Sequence, residues 1–392
     1  DSVFEQAFLP TYEGGLGIID VVALAPVYHI GSVANAIRVR DCLRDVKMHP
    51  PGLDCLFEDF HLRPAVDECL YRHAQFECLE KVMTVTDRYV EVKGDLAGSA
   101  NSYVRKAEDI FSVSKGLQNA TSRILWRLRR DDMLDNASGM DLIRLRESVQ
   151  PGVSAVLEAL PTEKGLFIHN EALKDYLDAR FGLLKPVAKH GSYLESCHHH
   201  LKVDESPEAH ALSCVNYGRV TARHDSISKL LINIANRAGV LAPAYEPRHE
   251  ETGRRGPDVL FPSLLDNGRD VYGDVTFINP LSLSYALRAT ETDNFAANYA
   301  EVTKRSMIAK IQRIPNAAGF ALGFSTFGAQ SSHVTRLLRE LSKHRFQNFG
   351  RWSAPNFAAP SFCAYASQLL SIQIAKMNTL CLKSIRAGIV SS

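Results

Sequence analysis

The sequence lacks any run approaching the ~18 uninterrupted apolar residues that a helix needs to cross a bilayer, so no helical membrane span is expected. No secretory leader is expected either: the sequence opens Asp1-Ser2-Val3, with no basic stretch before an apolar one. The absent initiator Met is what a fragment or a processed piece would show. An excess of one charge is missing too. Lys and Arg number 45 against 44 Asp and Glu, so any basic surface must be local and offset by acid elsewhere. That balance neither favours nor excludes a nucleic-acid partner. The cysteines form no evenly spaced framework. Cys42, Cys55, Cys69, Cys78, Cys363 and Cys381 sit in apolar helical contexts and read as buried thiols of a reducing compartment. Only Cys197 and Cys214 lie in a ligand-rich segment.

What remains is an ordinary globular composition, 45% hydrophobic and 23% charged, in a chain of 392 residues, enough for two or three domains with proper cores. Residues 1–190 read as mostly helical, with apolar residues at three- and four-residue spacing over Val66–Val82 and Ala107–Arg130. Gly14-Gly15-Leu16-Gly17 reads as a turn or a close-approach loop, since no strand–glycine–helix context would make it a phosphate cradle. Residues 191–216 change character: Gly, Ser, His, Asp, Glu and Pro dominate and apolar periodicity disappears. Residues 224–325 alternate helix and strand signals. Ile227, Leu230, Leu231, Ile234, Ala235 and Ala238 share one face of a helix over Asp225–Ala238, closed by Gly239. Strands are expected at Asp258–Phe261 and Val271–Ile278, then a helix from Phe295 to Ile311 and a strand at Gly319–Ser325. Residues 330–392 return to helix. The expected class is therefore α plus α/β, with a helical N-terminal region and a small α/β core.

Two anomalies stand in that core. Alternation along Val271–Ile278 puts Tyr272, Asp274, Thr276 and Ile278 on one face, and a carboxylate in an apolar strand is costly unless paired or metal-bound. Asp258 begins the preceding strand. Phosphodiester hydrolysis needs charge neutralisation and a hydroxide near neutral pH, which divalent ions held by carboxylates supply. The plain alternative is that Asp258 ends a loop and Asp274 caps a backbone group or pairs with an Arg. The second anomaly is Lys304, which falls inside the apolar stripe of Ala300, Met307, Ile308 and Ile311. It either snorkels outward or points at the acids, where an ammonium would stabilise developing charge.

The run Cys197-His198-His199-His200, followed by His210-Ala211-Leu212-Ser213-Cys214, offers four zinc ligands: Cys197, His200, His210 and Cys214. His199 could replace His200. The segment has little apparent core, so a metal could supply its ordering energy; a solvated His-rich loop is the alternative.

In their order, these residues resemble a family. His210-Ala-Leu-Ser-Cys214, Ala222-Arg223-His224-Asp225, Glu246-Pro247, Arg255-Gly256-Pro257-Asp258-Val259, Asp274-Val275-Thr276, Asn279-Pro280 and Ser325-Thr326-Phe327-Gly328 look like the tail of reverse-transcriptase-like proteins of non-LTR retroelements. Upstream, Leu9 to Ile18 and Ala25-Pro26 through Gly31-Ser32 resemble the segment just past the polymerase palm there, and Gln150 to Pro161 resembles the linker region. The resemblance implies a thumb- or linker-like region over residues 1–190, a zinc knuckle over 191–216, a PD-(D/E)XK restriction-like endonuclease of αβββαβ core over 217–345, and C-terminal helices over 346–392.

The implied activity is metal-dependent nicking of target DNA. Asp258 and Asp274 would hold Mg²⁺ or Mn²⁺, Lys304 would act at the phosphate, and Glu246 would be a further metal-side carboxylate. Zn²⁺ would be structural. Arg127 and Arg130, on the helix that also carries Arg123 and Arg129, would contact phosphates, the alternative being a solvated helix face. Arg223 and His224 would touch phosphate or cap the helix after them. Expected partners are target DNA, element RNA and an upstream reverse transcriptase domain, with no membrane, in an intracellular and nuclear setting. Two departures from the family's pattern matter. His200 stands where a knuckle usually has Cys, and Thr276 stands where the lysine two residues past the second acid is usual. The second departure keeps open a degraded, nucleic-acid-binding scaffold. No Tyr-x-Asp-Asp pattern occurs, so polymerase activity is not expected of this chain.

Overall fold

In a computed structural model of the chain, residues 2–18, 117–184, 193–194, 199–200, 207–215, 219–247, 256–353 and 358–387 are described. They belong to two compact units, Asp1–Asp135 and Asn136–Ser392. The expected helix at Val66–Val82 lies outside the described residues, as does the first part of the one at Ala107–Arg130.

In the first unit, helix α1 (Ser2–Phe8) leads into a 3-10 turn at Thr11–Glu13, and helix α2 begins at Leu117 and runs to Asn136. The glycine cluster is a close-approach loop. A Cβ on Gly15 would stand 1.9 Å from the Leu9 carbonyl oxygen, so no larger residue fits. Glu13 is buried there, and its carboxylate faces Arg127 and Arg130 of α2 at 3.5 and 3.9 Å.

The second unit is mixed α/β. Helices α3 (Gly139–Ser148), α4 (Ala155–Glu158) and α5 (Asn170–Phe181) come first. A two-residue antiparallel pair follows, β1 (Tyr193–Leu194) with β2 (His199–His200), and then α6 (Pro207–Ser213). The core is helix α7 (Arg219–Ala238), strands β3 (Ala244–Tyr245), β4 (Val259–Phe261) and β5 (Asp270–Ile278), helices α8 (Ala286–Glu291), α9 (Phe295–Thr303) and α10 (Arg305–Ile311), and strand β6 (Ala317–Ser325). Helices α11 (Ser332–Phe349) and α12 (Phe362–Ala387) end the unit. The sheet order is β3-β4-β5-β6, antiparallel at the first two pairings and parallel at the last.

The apolar stripe expected on α7 is the stripe that is buried: Ile227, Leu231, Ile234, Ala235 and Ala238 are fully covered. They share one core with Val259, Phe261, Val271, Val275, Phe320, Leu322 and Phe324 of the sheet, and with Val334, Leu337 and Leu341 of α11. Each buried Ile, Leu or Phe removes enough apolar surface from water to favour folding by roughly 1.5–3 kcal/mol. The helix starts at Arg219, earlier than the expected Asp225.

The opposite face of the sheet receives α9 and α10. Gly323 makes the contact possible, because a Cβ there would lie 2.3 Å from the Ala297 carbonyl oxygen. The helix expected from Phe295 to Ile311 is broken at Lys304 (φ −101°, ψ 6°). The Thr303 hydroxyl donates to the Ala300 carbonyl at 2.7 Å, the acceptor an unbroken helix would offer to the Lys304 N–H. That N–H bonds Glu301 O at 3.1 Å instead. Lys304 thus sits at a helix junction rather than inside a continuous stripe. Among the described residues no helix is long and apolar enough to cross a membrane.

Candidate metal centre

Pairing register brings the two acids together. Val259 stands opposite Gly273 in the antiparallel ladder, and one step further along that register Asp258 faces Asp274. Both point away from the core face that carries Val259, Phe261, Val271 and Val275. A spacing of 16 in sequence therefore becomes direct apposition across two strands. Helix α7 adds His224, whose Nε2 lies 2.9 Å from Asp258 Oδ2. The same oxygen accepts the Val275 N–H at 2.7 Å. The Lys304 ammonium, delivered by the α9–α10 junction, lies 3.2 Å from Asp274 Oδ2.

One ligand atom each from His224, Asp258 and Asp274 lies within 4.8 Å of the others. The cluster is only partly shielded: its side chains run from 11% exposed at Asp258 to 31% at Lys304, which leaves a path for an ion from solvent. Burial opposes ionisation of Asp258. Hydrogen bonds from His224 and from Asp274, with the Val275 N–H, outweigh burial and hold its carboxyl below the usual range. Burial pushes Asp274 the other way, to about 6, helped by the neighbouring Asp258 and resisted by Lys304. Each carboxylate raises the cost of ionising the other, so the pair gives up its protons in two separate steps, Asp274 last. Burial also works against a charged His224, yet its bonds to Asp258 and Asp225 leave its pKa raised.

The donor set suits a divalent cation. Two donors on adjacent corners of an octahedral shell with bonds of about 2.1 Å stand about 3.0 Å apart, close to the His224–Asp258 separation. Carboxylate oxygens suit Mg²⁺ and Mn²⁺.

The other residues singled out in the sequence fall elsewhere. Glu246 adds no ligand atom to the group of three. Its N–H bonds Asp258 O at 2.8 Å, and its backbone is left-handed at φ 48°, so it joins the site through the main chain. Arg223, expected at phosphate or as a helix cap, is 1% exposed. It donates to Leu212 O at 3.0 Å and Asn378 Oδ1 at 2.9 Å, and its guanidinium lies over the Phe277 ring. A side chain so enclosed is a core strut and cannot reach a duplex. His224 points at the acids instead of at a phosphate. Arg127 and Arg130 are turned to the buried Glu13 rather than forming a free basic face.

Of the four expected zinc ligands, Cys197 lies outside the described residues, and so does the side chain of His200. The same is true of the His199 side chain. His210 and Cys214 are buried, one helical turn apart at the end of α6. The expectation that this segment has little core needs correction at α6. Ala209, Ala211 and Leu212 are buried, and Asn279 Nδ2 ties Ala209 O and Ser213 Oγ to the end of β5.

No family model and no curated protein matches this sequence. The reading of the site therefore stands on its geometry.

His224, expected at phosphate or as a helix cap, lies against the acids. Its signal was present: His224, Ile227 and Leu231 fall on one helical stripe, so its ring belonged near the sheet and not out in solvent. Asp225 was passed over. At 3.0 Å from His224 Nδ1, it holds the far side of the imidazole.

Proposed function

We propose that this chain carries a divalent-metal-dependent DNA-nicking endonuclease of the PD-(D/E)XK type, within the C-terminal part of a reverse-transcriptase-like retroelement protein. The observation that carries the proposal is the apposition of Asp258 and Asp274 with the Lys304 ammonium 3.2 Å from the second acid. The order helix, three strands, helices, strand over Arg219–Ser325 also supports it, since it is the αβββαβ order of such nucleases.

When bound, a divalent cation supplies positive charge at the phosphate and lowers the pKa of an attached water. The protein's own part is to hold and to orient. Asp258 and Asp274 supply carboxylate oxygens from adjacent strands. The Val275 N–H and His224 keep Asp258 ionised and fixed in rotamer. Lys304 stands beside Asp274 from a separate element, where it can meet the charge that develops on a phosphate oxygen. It replaces a lysine at position 276. Thr276 fills that position, and its buried hydroxyl oxygen meets no hydrogen-bond partner among the described residues.

The same proposal includes a structural zinc held by His210 and Cys214 with Cys197 and His200. Burial of His210 and Cys214 on one helical turn supports it.

The test is nicking of supercoiled plasmid by the full chain with Mg²⁺ or Mn²⁺, against Asp274→Ala and Lys304→Ala. Loss of one electrostatic stabiliser is expected to lower the rate by about 10²-fold or more. Equal nicking by all three proteins would remove both residues from the mechanism, and no nicking by any of them would leave a nucleic-acid-binding relic of the fold.

A further inference from the structure

We infer that His224 is a third protein ligand of the centre, oriented by Asp225, and that the site consequently takes Mn²⁺ in preference to Mg²⁺. The inference rests on the reading of Asp258 and Asp274 as metal ligands and adds an element that this reading does not require.

Three observations carry it. His224 Nε2 is one of three ligand atoms that lie within 4.8 Å of one another, and it is the only nitrogen among them. Its 2.9 Å separation from Asp258 Oδ2 matches neighbouring corners of one coordination shell. The opposite ring nitrogen, Nδ1, lies 3.0 Å from Asp225 Oδ1. A carboxylate on the far nitrogen is the usual outer partner of a metal-bound histidine: it holds a proton on Nδ1, while the Nε2 proton now shared with Asp258 would leave to solvent as the ion takes its place on the Nε2 lone pair.

The local sequence explains the placement. His224 and Asp225 are consecutive on α7, whose next turns are anchored in the core by Ile227 and Leu231. Arg223 locks the same turn from its other side through Leu212 O and Asn378. The imidazole is therefore set by buried struts before any ion arrives, which limits the ordering cost of coordination.

The consequence is selectivity. Mg²⁺ is a hard ion that dehydrates reluctantly and favours oxygen ligands. Imidazole is a softer donor and favours transition metals. Two carboxylates with one imidazole make an oxygen-rich set with a single nitrogen, and Mn²⁺ accepts both donor types.

The experiment uses the full chain and the metals alone. Mn²⁺ binding is followed by electron paramagnetic resonance, and pulsed spectra are read for coupling to a directly bound ¹⁴N. Expected are a ¹⁴N signal in the wild type, its loss in His224→Ala, and Mn²⁺ affinity weakened about tenfold or more in His224→Ala and in Asp225→Asn. Mg²⁺, measured by competition, should bind more weakly than Mn²⁺ to the wild type and lose less on either substitution. Because the ¹⁴N signal is read on the wild type, the test stands even if a variant folds poorly. Mn²⁺ that binds, is released by Asp274→Ala and shows no ¹⁴N coupling would overturn the role of His224 while sparing the acid pair. Mn²⁺ binding that is absent, or indifferent to Asp274→Ala, would overturn both.

Discussion

Glu147→Gln isolates the cost of one buried carboxyl. Glu147 lies on α3, is 3% exposed, and has one carboxylate oxygen, Oε2, with no hydrogen-bond partner among the described residues. Burial, opposed by a hydrogen bond with Ser325 and reinforced by Asp293, pushes its pKa from 4.5 to about 7. The folded state thus binds a proton more tightly than the unfolded chain does. The stability this contributes is complete below pH 4.5, declines as pH rises, and is gone above about 7. A gap of about 2.5 pH units, at about 1.4 kcal/mol each, corresponds to about 3 kcal/mol. A glutamine keeps the shape and never ionises. The melting temperature of the wild type should therefore fall relative to Glu147→Gln between pH 4.5 and 8. For a domain of this size the relative drop is roughly 6–12 °C. Taking the difference between the two proteins cancels every other titrating group, Asp274 and His224 included. Differential scanning calorimetry across that range decides the matter. Two melting curves that shift in parallel, with a constant gap from pH 4.5 to 8, would show that the Glu147 carboxyl is solvated or paired and that the argument from its burial is wrong.

Other perturbations probe the frame and the second metal. Gly323→Ala places a methyl 2.3 Å from the Ala297 carbonyl oxygen. It should destabilise the unit by about 1–3 kcal/mol by overpacking and, by pushing α9 outward, should slow nicking through Lys304 more than it weakens DNA binding. Arg223→Met should cost about 1–3 kcal/mol in a denaturant titration, because Leu212 O and Asn378 lose a buried donor. The salt dependence of DNA binding should be unchanged, and a shallower salt slope would return Arg223 to the phosphate contacts. Zinc content measured by atomic emission should fall from about one per chain to near zero in Cys214→Ser, since a four-ligand site rarely survives the loss of a thiolate. Unaltered zinc in that variant argues against the knuckle.

Much of the core was legible in the sequence because periodicity reports which face is buried. The α7 stripe and the alternation of β5, with Asp274 among its residues, follow from local spacing; the apposition of Asp258 and Asp274 follows from the pairing register. What local spacing could not report was partnership across long separations. Arg223 read as a phosphate contact or a helix cap because its acceptors, Leu212 O and Asn378, come from other elements, one of them 155 residues away. Arg127 and Arg130 looked like a basic face because the carboxylate they meet belongs to the other end of the described part of their unit. The Lys304 break was hidden for a different reason. Ala300 and Ile311 stay buried on either side of it, so the apolar pattern runs on across a backbone that does not. The Lys304 that meets Asp274 stands at that break.

The β4–β5 hairpin gives the centre a parity. Residues 262–269 join the two strands, and insertions that bulge outward there leave the ladder in phase. A slip of the ladder by a single position is another matter. It would present Val259 where Asp258 now faces Asp274, sending one acid to the oily side and a valine to the wet one. Drift in the length of that connection is thus tolerable in any amount the loop can absorb, while the phase of the ladder tolerates none.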